Sequence, residues 1–432
     1  MLAIALAEGC ANGDREASAT QGSGVASSAQ SEAQKALRIA LAEHTGASQL
    51  DEQIRAAQTL ARTKPDSSRL EALARCYIAK ARASSDPGYY RLAEAAADAM
   101  PLPDQPAALL IRGHVRHALH DFAKAESITR RLVEQRGMFL DHGLLGDVLL
   151  DRGQFDEAQE CYQRMLDLKP CLQSYARAAE LRWRRGDVEG SLQLLELATH
   201  AGSRRAPESL AWAFSRQGAL ALHAGRPDDA IRHADSALEH VDDYAAALAV
   251  RGRAKLALGN SGPAAEDLAT AVAQSPLPAH LWAFADALRA AGRDDEARAT
   301  ERTLRQTGAR EDPRTFAVWL ASQTGDAASG RDAELALRLA KREFDLRQDF
   351  LTSDALAWAY LRNGDLQQAL LAMDQALCRG TCDARVRLHA AAICAASGDR
   401  TGAQKHGDIA LAAKTALLPS ERTRLKSLLA AL

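Results

Sequence analysis

Small residues recur along this chain at intervals of 34 residues and at matching offsets. Gly218, Gly225, Ala230 and Ala237 form one set. The further sets are Gly252, Gly259, Ala264 and Ala271, then Gly364, Ala369 and Ala376, then Gly398, Ala403 and Ala410. A period of this length is typical of an array in which one small unit is stacked on copies of itself. A chain of 432 residues also exceeds what a single core usually supports.

The stretch "LLGDVLLDRGQFDEAQECYQRMLDLKP", residues 144–170, indicates the structure of one unit. Its apolar residues fall on one side of a first helix and, after Arg152–Gln154, on one side of a second helix that Pro170 ends. Gly or Ala lets two helices cross closely, and Gly between them adopts the backbone conformation that ends one helix and begins the next. We therefore predict antiparallel helix pairs.

These offsets and residue types resemble the tetratricopeptide repeat family. The resemblance implies an all-α fold, a right-handed α-solenoid of about ten antiparallel helix pairs that ends in a cap helix. Residues 144–170 and the stretch "DALAWAYLRNGDLQQALLAMDQAL", residues 354–377, are also similar to predicted bacterial tetratricopeptide proteins of the cell envelope. That group implies a location more than an activity.

The strength of the repeat divides the chain into five segments. Residues 1–31 form a signal remnant or a flexible tether, 32–311 form helix pairs, 312–349 a looser and longer pair, 350–417 regular pairs and 418–432 a cap helix. The cap is expected because an open array needs a solvated end.

Composition excludes some classes of partner. Charged residues make up 25% of the chain and the formal net charge is -2. Neither a basic footprint for nucleic acid nor an acidic tail is present, so we expect no nucleic-acid partner. No segment after the first residues is long and apolar enough to span a membrane.

The N-terminal stretch "MLAIALAEGC" has two interpretations. An apolar run followed by Gly9 and Cys10 is similar to the end of a lipoprotein signal, in which Cys10 would carry lipid and residues 11–31 would be a tether. This places the protein in the periplasm or anchored at the outer membrane, with the lipid as its one membrane contact. The run is short, lacks a basic leader and has Glu8 where a small residue is expected. The alternative is the ordinary start of a cytoplasmic protein.

The seven cysteines suggest one bridge at most. Cys378 and Cys382, in "CRGTC", lie at a turn between two repeats, where a disulfide would staple the turn. Cys76, Cys161 and Cys394 are interpreted as small core residues, since buried free cysteine is common.

The sequence lacks the signatures of an enzyme. Phosphate-binding glycine loops, "HExxH" and serine elbows are absent, and a helical array spreads its side chains along a rod. His114, His117 and His120 are the nearest approach to a metal site, but no further ligand follows at helical spacing. We predict a non-enzymatic protein without a cofactor or metal.

The resemblance implies a concave groove lined by the first helix of each pair. The residues predicted to line this groove are Trp212, Trp282, Trp358, Leu110, His114, Asp147, Arg253 and Leu388. A one-residue change of frame would make Trp282 core. The Asn and Lys set with which some tetratricopeptide proteins hold a terminal carboxylate is absent.

The sequence thus predicts a scaffold or adaptor that binds a peptide or protein in this groove, at the bacterial envelope. Replacing Trp358 or Trp212 by Ala is expected to weaken that binding while the array stays folded. The alternative is a cytoplasmic regulator or chaperone cofactor.

Overall fold

The computed structural model describes residues 31–84, 86–102, 104–324 and 330–432, and regular structure within these ranges is helical. The all-α prediction is confirmed. The described residues up to 81, with 86–115, form one compact unit, and residues 82–84 and 116–432 form a second. Cys10 lies outside the described residues.

The first unit contains the N-terminal helices. They are α1 at 31–40, α2 Gln49–Thr63, most of α3 Ser67–Ser84, α4 Gly88–Asp98 and most of α5 Pro106–Ala118. Ile54, Leu70 and Tyr77 lie in its core. The Tyr77 hydroxyl donates to the Ala40 carbonyl, 2.6 Å away, and accepts from Gln58 Nε2 at 2.8 Å, so these buried polar groups are paired.

The second unit is an α-solenoid. Its helices are α6 Phe122–Gln135, α7 Phe139–Asp151, α8 Phe155–Leu168, α9 Leu172–Arg184, α10 Val188–His200, α11 Pro207–His223, α12 Pro227–His240, α13 Ala245–Ala257, α14 Ser261–Gln274, α15 Pro278–Ala290, α16 Asp294–Glu311, α17 Pro313–Ala321, α18 Gly330–Leu346, α19 Phe350–Arg362, α20 Leu366–Leu377, α21 Ala384–Ala396, α22 Arg400–Ala412 and α23 Pro419–Ala431, with a 3-10 turn at Lys414–Ala416. Each odd-numbered helix from α7 to α21 packs most extensively against the helix that follows it.

The recurring small residues have the two predicted roles. Gly259, in the turn between α13 and α14, has a φ of 86°, which a residue with a side chain rarely adopts. A Cβ atom at Gly252 would lie 2.7 Å from Leu268 Cγ and 3.1 Å from the Ala264 carbonyl oxygen. The paired helices α13 and α14 therefore cross so closely that only glycine fits.

The segment predicted to be irregular contains the shortest helix of the second unit among those described. Helix α17 has nine residues. Asp312 caps it by accepting from the Thr315 backbone N–H at 3.1 Å and from the Thr315 hydroxyl at 2.6 Å.

The array of the second unit curls back until distant pairs touch. The Gln348 N–H donates to the Asp151 carbonyl at 2.9 Å. Arg379 pairs with Asp156 at 3.3 Å, and its guanidinium lies over the Phe155 ring. An open array lacks such contacts, so helix pairs that are far apart in the sequence lie next to each other in this unit.

Helix α23 does more than cover the last pair. It begins at Pro419, close to the predicted start of the cap, and contacts α22. It also contacts α21, the first helix of that last pair, and α15, the first helix of an earlier pair. The predicted cap helix is therefore present, and it reaches α15 as well because the array curls.

Candidate binding surface

The C-terminal segment, Lys414–Ala431, lies against the first helices of the second unit. We call the surface that it contacts the inner face, and it comprises Leu222, Arg253, Leu256, Asp286, Ser322, Trp358 and Arg385.

Backbone groups supply one set of contacts. The Thr415 hydroxyl donates to the Leu222 carbonyl, and the Arg253 guanidinium donates to the carbonyl of Ala416. Arg422 donates to the Leu256 carbonyl at 3.0 Å. The ends of α11 and α13 are thereby tied to the C-terminal segment.

Asp286 of α15 binds the first turn of α23. One carboxylate oxygen accepts from the Ser420 backbone N–H at 2.9 Å and from the Ser420 hydroxyl at 2.6 Å. Burial raises the pKa of Asp286 despite these bonds. The positive end of the α23 dipole also favours a carboxylate at this place.

Arg385 of α21 forms an ion pair with Glu421. Its Nε and Nη2 atoms both donate to the Glu421 carboxylate, and the Trp282 ring centroid lies 4.6 Å from the guanidinium carbon. Glu421 also accepts from the Leu418 backbone N–H at 2.9 Å, which caps α23. Burial alone would raise the pKa of Glu421, but Arg385 outweighs it and lowers that pKa.

The Trp358 side chain of α19 contacts three other side chains. Its ring stacks on His389, its Nε1–H donates to the Ser322 hydroxyl at 3.1 Å, and Arg424 lies over it at 5.4 Å. His389 Nδ1 lies 2.9 Å from the Asp354 carboxylate.

The structure places the predicted groove residues in different environments. Trp282 and Trp358 are each 4% exposed, whereas Trp212 is 39% exposed. Leu110 and Leu388 are fully buried. These four side chains are therefore covered by the residues packed around them. Whether they bind a partner stays a prediction.

The polar groove candidates have partners. Asp147 accepts from Arg177 and from the Tyr162 hydroxyl at 2.8 Å. Arg253 contacts the C-terminal segment, as described above, and His114 is half-buried in the first unit. Arg253 is the polar candidate that the structure brings to the inner face.

The histidines considered for metal binding do not converge. His117 Nε2 lies 2.9 Å from Asp151, and His120 stacks on Phe122. Across the described ranges, no group of three or more His, Cys, Asp or Glu side chains is arranged to hold a metal ion.

Cys378 and Cys382 are free thiols, so the predicted bridge is absent. Cys378 is exposed. A Cβ atom at Gly186 would lie 2.9 Å from Cys382 Sγ, which shows that Cys382 is turned towards the neighbouring turn of the curled array.

A cleft of about 530 Å³ lies among α10, α11 and α12. Phe214 and the buried Gln217 line it. Charged groups at its rim are paired with each other, as Arg232 is with Asp229 at 2.8 Å, whereas the buried Gln217 Oε1 has no hydrogen-bond partner among the described residues.

The sequence comparison agrees with the helix pairs. The model of the family described as tetratricopeptide repeat matches residues 144–209. Residues 144–209 therefore match tetratricopeptide repeats. No curated protein matches the sequence closely enough to count as a relative.

Several solved structures share the repeat fold weakly. Pseudomonas aeruginosa PilF is 14% identical over 50% of this chain and 97% of its own, with a TM-score of 0.40. Yeast Tom70 is 14% identical over 88% and 92%, with a TM-score of 0.37. Human IFIT1, determined as a dimer with PPP-AAAA, is 18% identical over 76% and 77%, with a TM-score of 0.42.

No described helix is long and apolar enough to cross a membrane. Sequence reasoning identified Arg253 and Trp358 of the inner face. It missed Leu222, Leu256, Asp286, Ser322 and Arg385, and also Glu421 of the C-terminal segment. The sequence did distinguish Asp286, because it lies 34 residues after Gly252, at a position where the repeat usually has a small residue. Arg385 lies at a groove-facing offset of the last pair, whereas nothing local marked Glu421 as its partner.

Proposed function

We propose that this protein is a non-enzymatic scaffold that holds a helical or extended segment of another protein on the first helices of its second unit. One observation carries the proposal: the inner face already holds a helix, α23, through Asp286 and Arg385. A surface that presents a buried carboxylate and a partly buried guanidinium is suited to a peptide, which offers both donors and acceptors.

Trp212 supports a second contact area on the same helices. It is 39% exposed on α11, although large aromatic side chains are usually covered in a folded protein. Trp is a frequent anchor in protein interfaces.

The test is crosslinking in living cells. A photoreactive phenylalanine derivative is placed at Trp212 and, as a control, at Leu371, an exposed residue on the second helix α20. We expect a specific protein adduct from position 212 and none from position 371. Adducts from position 371 alone, or none from either, contradict the proposal.

For the location we propose the periplasm or the outer membrane, with lipid on Cys10. Support comes from the sequence of residues 2–10 and from the resemblance to envelope proteins. Fractionation with intact-mass measurement tests this. Lipid mass on Cys10 in the membrane fraction supports it, whereas soluble cytoplasmic protein with Met1 intact favours the alternative, a cytoplasmic regulator or chaperone cofactor.

A further inference from the structure

Helix α23 is attached through polar groups on its first turns and through apolar groups on one side. Of its 13 residues only Glu421 and Leu425 are buried. Leu425 packs with Leu388 and Leu417, and Leu428 and Leu429 are partly buried against the same cluster. The remaining attachment consists of hydrogen bonds and the ion pair with Arg385. Such bonds exchange readily for those of a competitor, because each contributes modestly relative to water.

The packing beside α23 is incomplete. A cleft of about 370 Å³ lies between its first turn and the ends of α13 and α15, with Leu256 and Ala290 on one side and Pro419 and Arg422 on the other. The cleft is open to solvent, so neighbouring helices do not cover this edge of α23.

If α23 left the inner face and nothing replaced it, polar groups of that face would lose their partners. Asp286 is 5% exposed, and its carboxylate has Ser420 as its hydrogen-bond partner. Arg385 would lose Glu421. Buried charges without partners are costly, so whatever replaces α23 has to supply matching groups.

The matching groups define the chemistry of a replacement. Ser420 supplies a hydroxyl and a backbone N–H, Glu421 a carboxylate, Arg424 a cation over Trp358 and Leu425 an apolar side chain. These residues lie within the first two turns of one helix, so a partner helix that carries the same groups at the same spacing would satisfy the inner face.

We propose that α23 is a displaceable internal ligand of the inner face, and that the partner is a helical protein segment whose first turns carry a hydroxyl, a carboxylate, a cation and an apolar residue in the order of Ser420, Glu421, Arg424 and Leu425. The proposal rests on the proposed function. Partner binding then requires release of α23, so the C-terminal segment sets the affinity of the scaffold for its partner.

The probe for the test is a fluorescein-labelled synthetic peptide of residues 412–432, added to the full-length chain and followed by fluorescence anisotropy. Three proteins are compared: the wild type, the variant Ser420→Ala with Glu421→Gln, and the control Lys426→Ala, which changes an exposed residue of the same helix. In the wild type, α23 occupies the inner face most of the time, so the added peptide binds with an apparent affinity reduced by the fraction of protein whose inner face is free. The double variant weakens the hold of α23. We therefore expect it to bind the peptide about tenfold tighter than the wild type and the control.

Peptide carrying the same two changes should not bind. Equal binding of all three proteins to the unaltered peptide, or no binding by any of them, overturns the proposal.

Hydrogen exchange on the wild type gives a second readout that needs no variant. Amides of 419–431 should exchange at least about tenfold faster than those of α13 and α15, since local opening precedes global unfolding. Exchange of 419–431 together with those helices would show that α23 is permanent core and overturn the proposal. Neither measurement uses the cellular partner, so their failure is distinct from a failure of the crosslinking at Trp212.

Discussion

The Trp358 indole stacks on the His389 imidazole, with ring centroids 4.1 Å apart and ring planes 9° apart. Both side chains are buried, and His389 is tied to Asp354. The contact joins α19 to α21, the first helices of consecutive pairs. Trp358 therefore stabilises the stack of repeats.

Replacing Trp358 by Ala should lower the free energy of unfolding by about 3–5 kcal/mol, because a large buried side chain is lost and a cavity remains. Guanidinium denaturation followed by circular dichroism measures this. Trp212→Ala is the matched control. It should change stability by less than about 1 kcal/mol, since a half-exposed side chain loses little burial. Equal stability of both variants would show that Trp358 has no structural role.

Asp147, Arg177 and Tyr162 form one hydrogen-bond network, so substitutions in it should have coupled effects on stability. Asp147→Ala is expected to cost about 1–3 kcal/mol, because it leaves the Tyr162 hydroxyl without an acceptor and the Arg177 guanidinium with the Gln173 carbonyl alone. Tyr162→Phe should cost about 1 kcal/mol. The double variant should cost less than the two changes added, as coupled residues do. Strict additivity in denaturation experiments would contradict the network.

Replacement by Ala should change stability in opposite directions at Gly252 and Gly262, which lie in the paired helices α13 and α14. Gly252→Ala is expected to destabilise the protein by about 1–3 kcal/mol, because its Cβ atom would lie 2.7 Å from Leu268 Cγ. Gly262 in α14 has open space around it, so Gly262→Ala should stabilise the protein by about 0.5–1 kcal/mol through helix propensity. Thermal denaturation of both variants checks the prediction. A stable Gly252→Ala protein would mean that α13 and α14 are farther apart.

Stability should fall on mild acidification because of His223. Burial lowers the pKa of His223 from 6.5 to about 4, the ring lies 4.5 Å from that of Trp183, and Nδ1 has no hydrogen-bond partner among the described residues. Between these pH values the unfolded chain binds a proton that the folded chain does not, so stability decreases as pH falls from about 6.5 to about 4. The loss is about 2–3 kcal/mol, in keeping with a shift of this size.

His223→Gln provides the comparison for the pH experiment. Free energies of unfolding are measured at several pH values for both proteins. The variant should show a smaller loss of stability between pH 6.5 and 4 than the wild type. Parallel curves would exclude His223 as the source.

The helix pairs could be predicted in detail because the forces that form them act over short stretches of sequence. Apolar spacing identifies the buried side of each helix, and Gly259 marks a turn since its φ of 86° suits glycine best. The close crossing at Gly252 could be predicted for the same reason, from a small residue that faces another small residue one helix later.

The candidate surface could be predicted only in part. Offsets within the repeat identified first-helix residues such as Trp358 and Arg253, but not that Trp358 would be covered by Arg424. Whether Trp358 is buried depends on the residue that covers it, and that residue, Arg424, is 66 positions away in the sequence. Nothing in the sequence indicated that the turn with Cys378 and Cys382, whose thiols are free, would lie against the turn at Gly186.

The sequence by itself determined the repeated helix pair, its turns and its tight crossings, since each depends on residues within about one period of each other. Only the tertiary structure decided that the second unit curls and that α23 lies on its inner face. Small rotations between successive pairs add up along an array, and their sum brings Ser420 to Asp286, 134 residues earlier. No local pattern encodes that sum, which is why the occupant of the inner face became visible only in the folded chain.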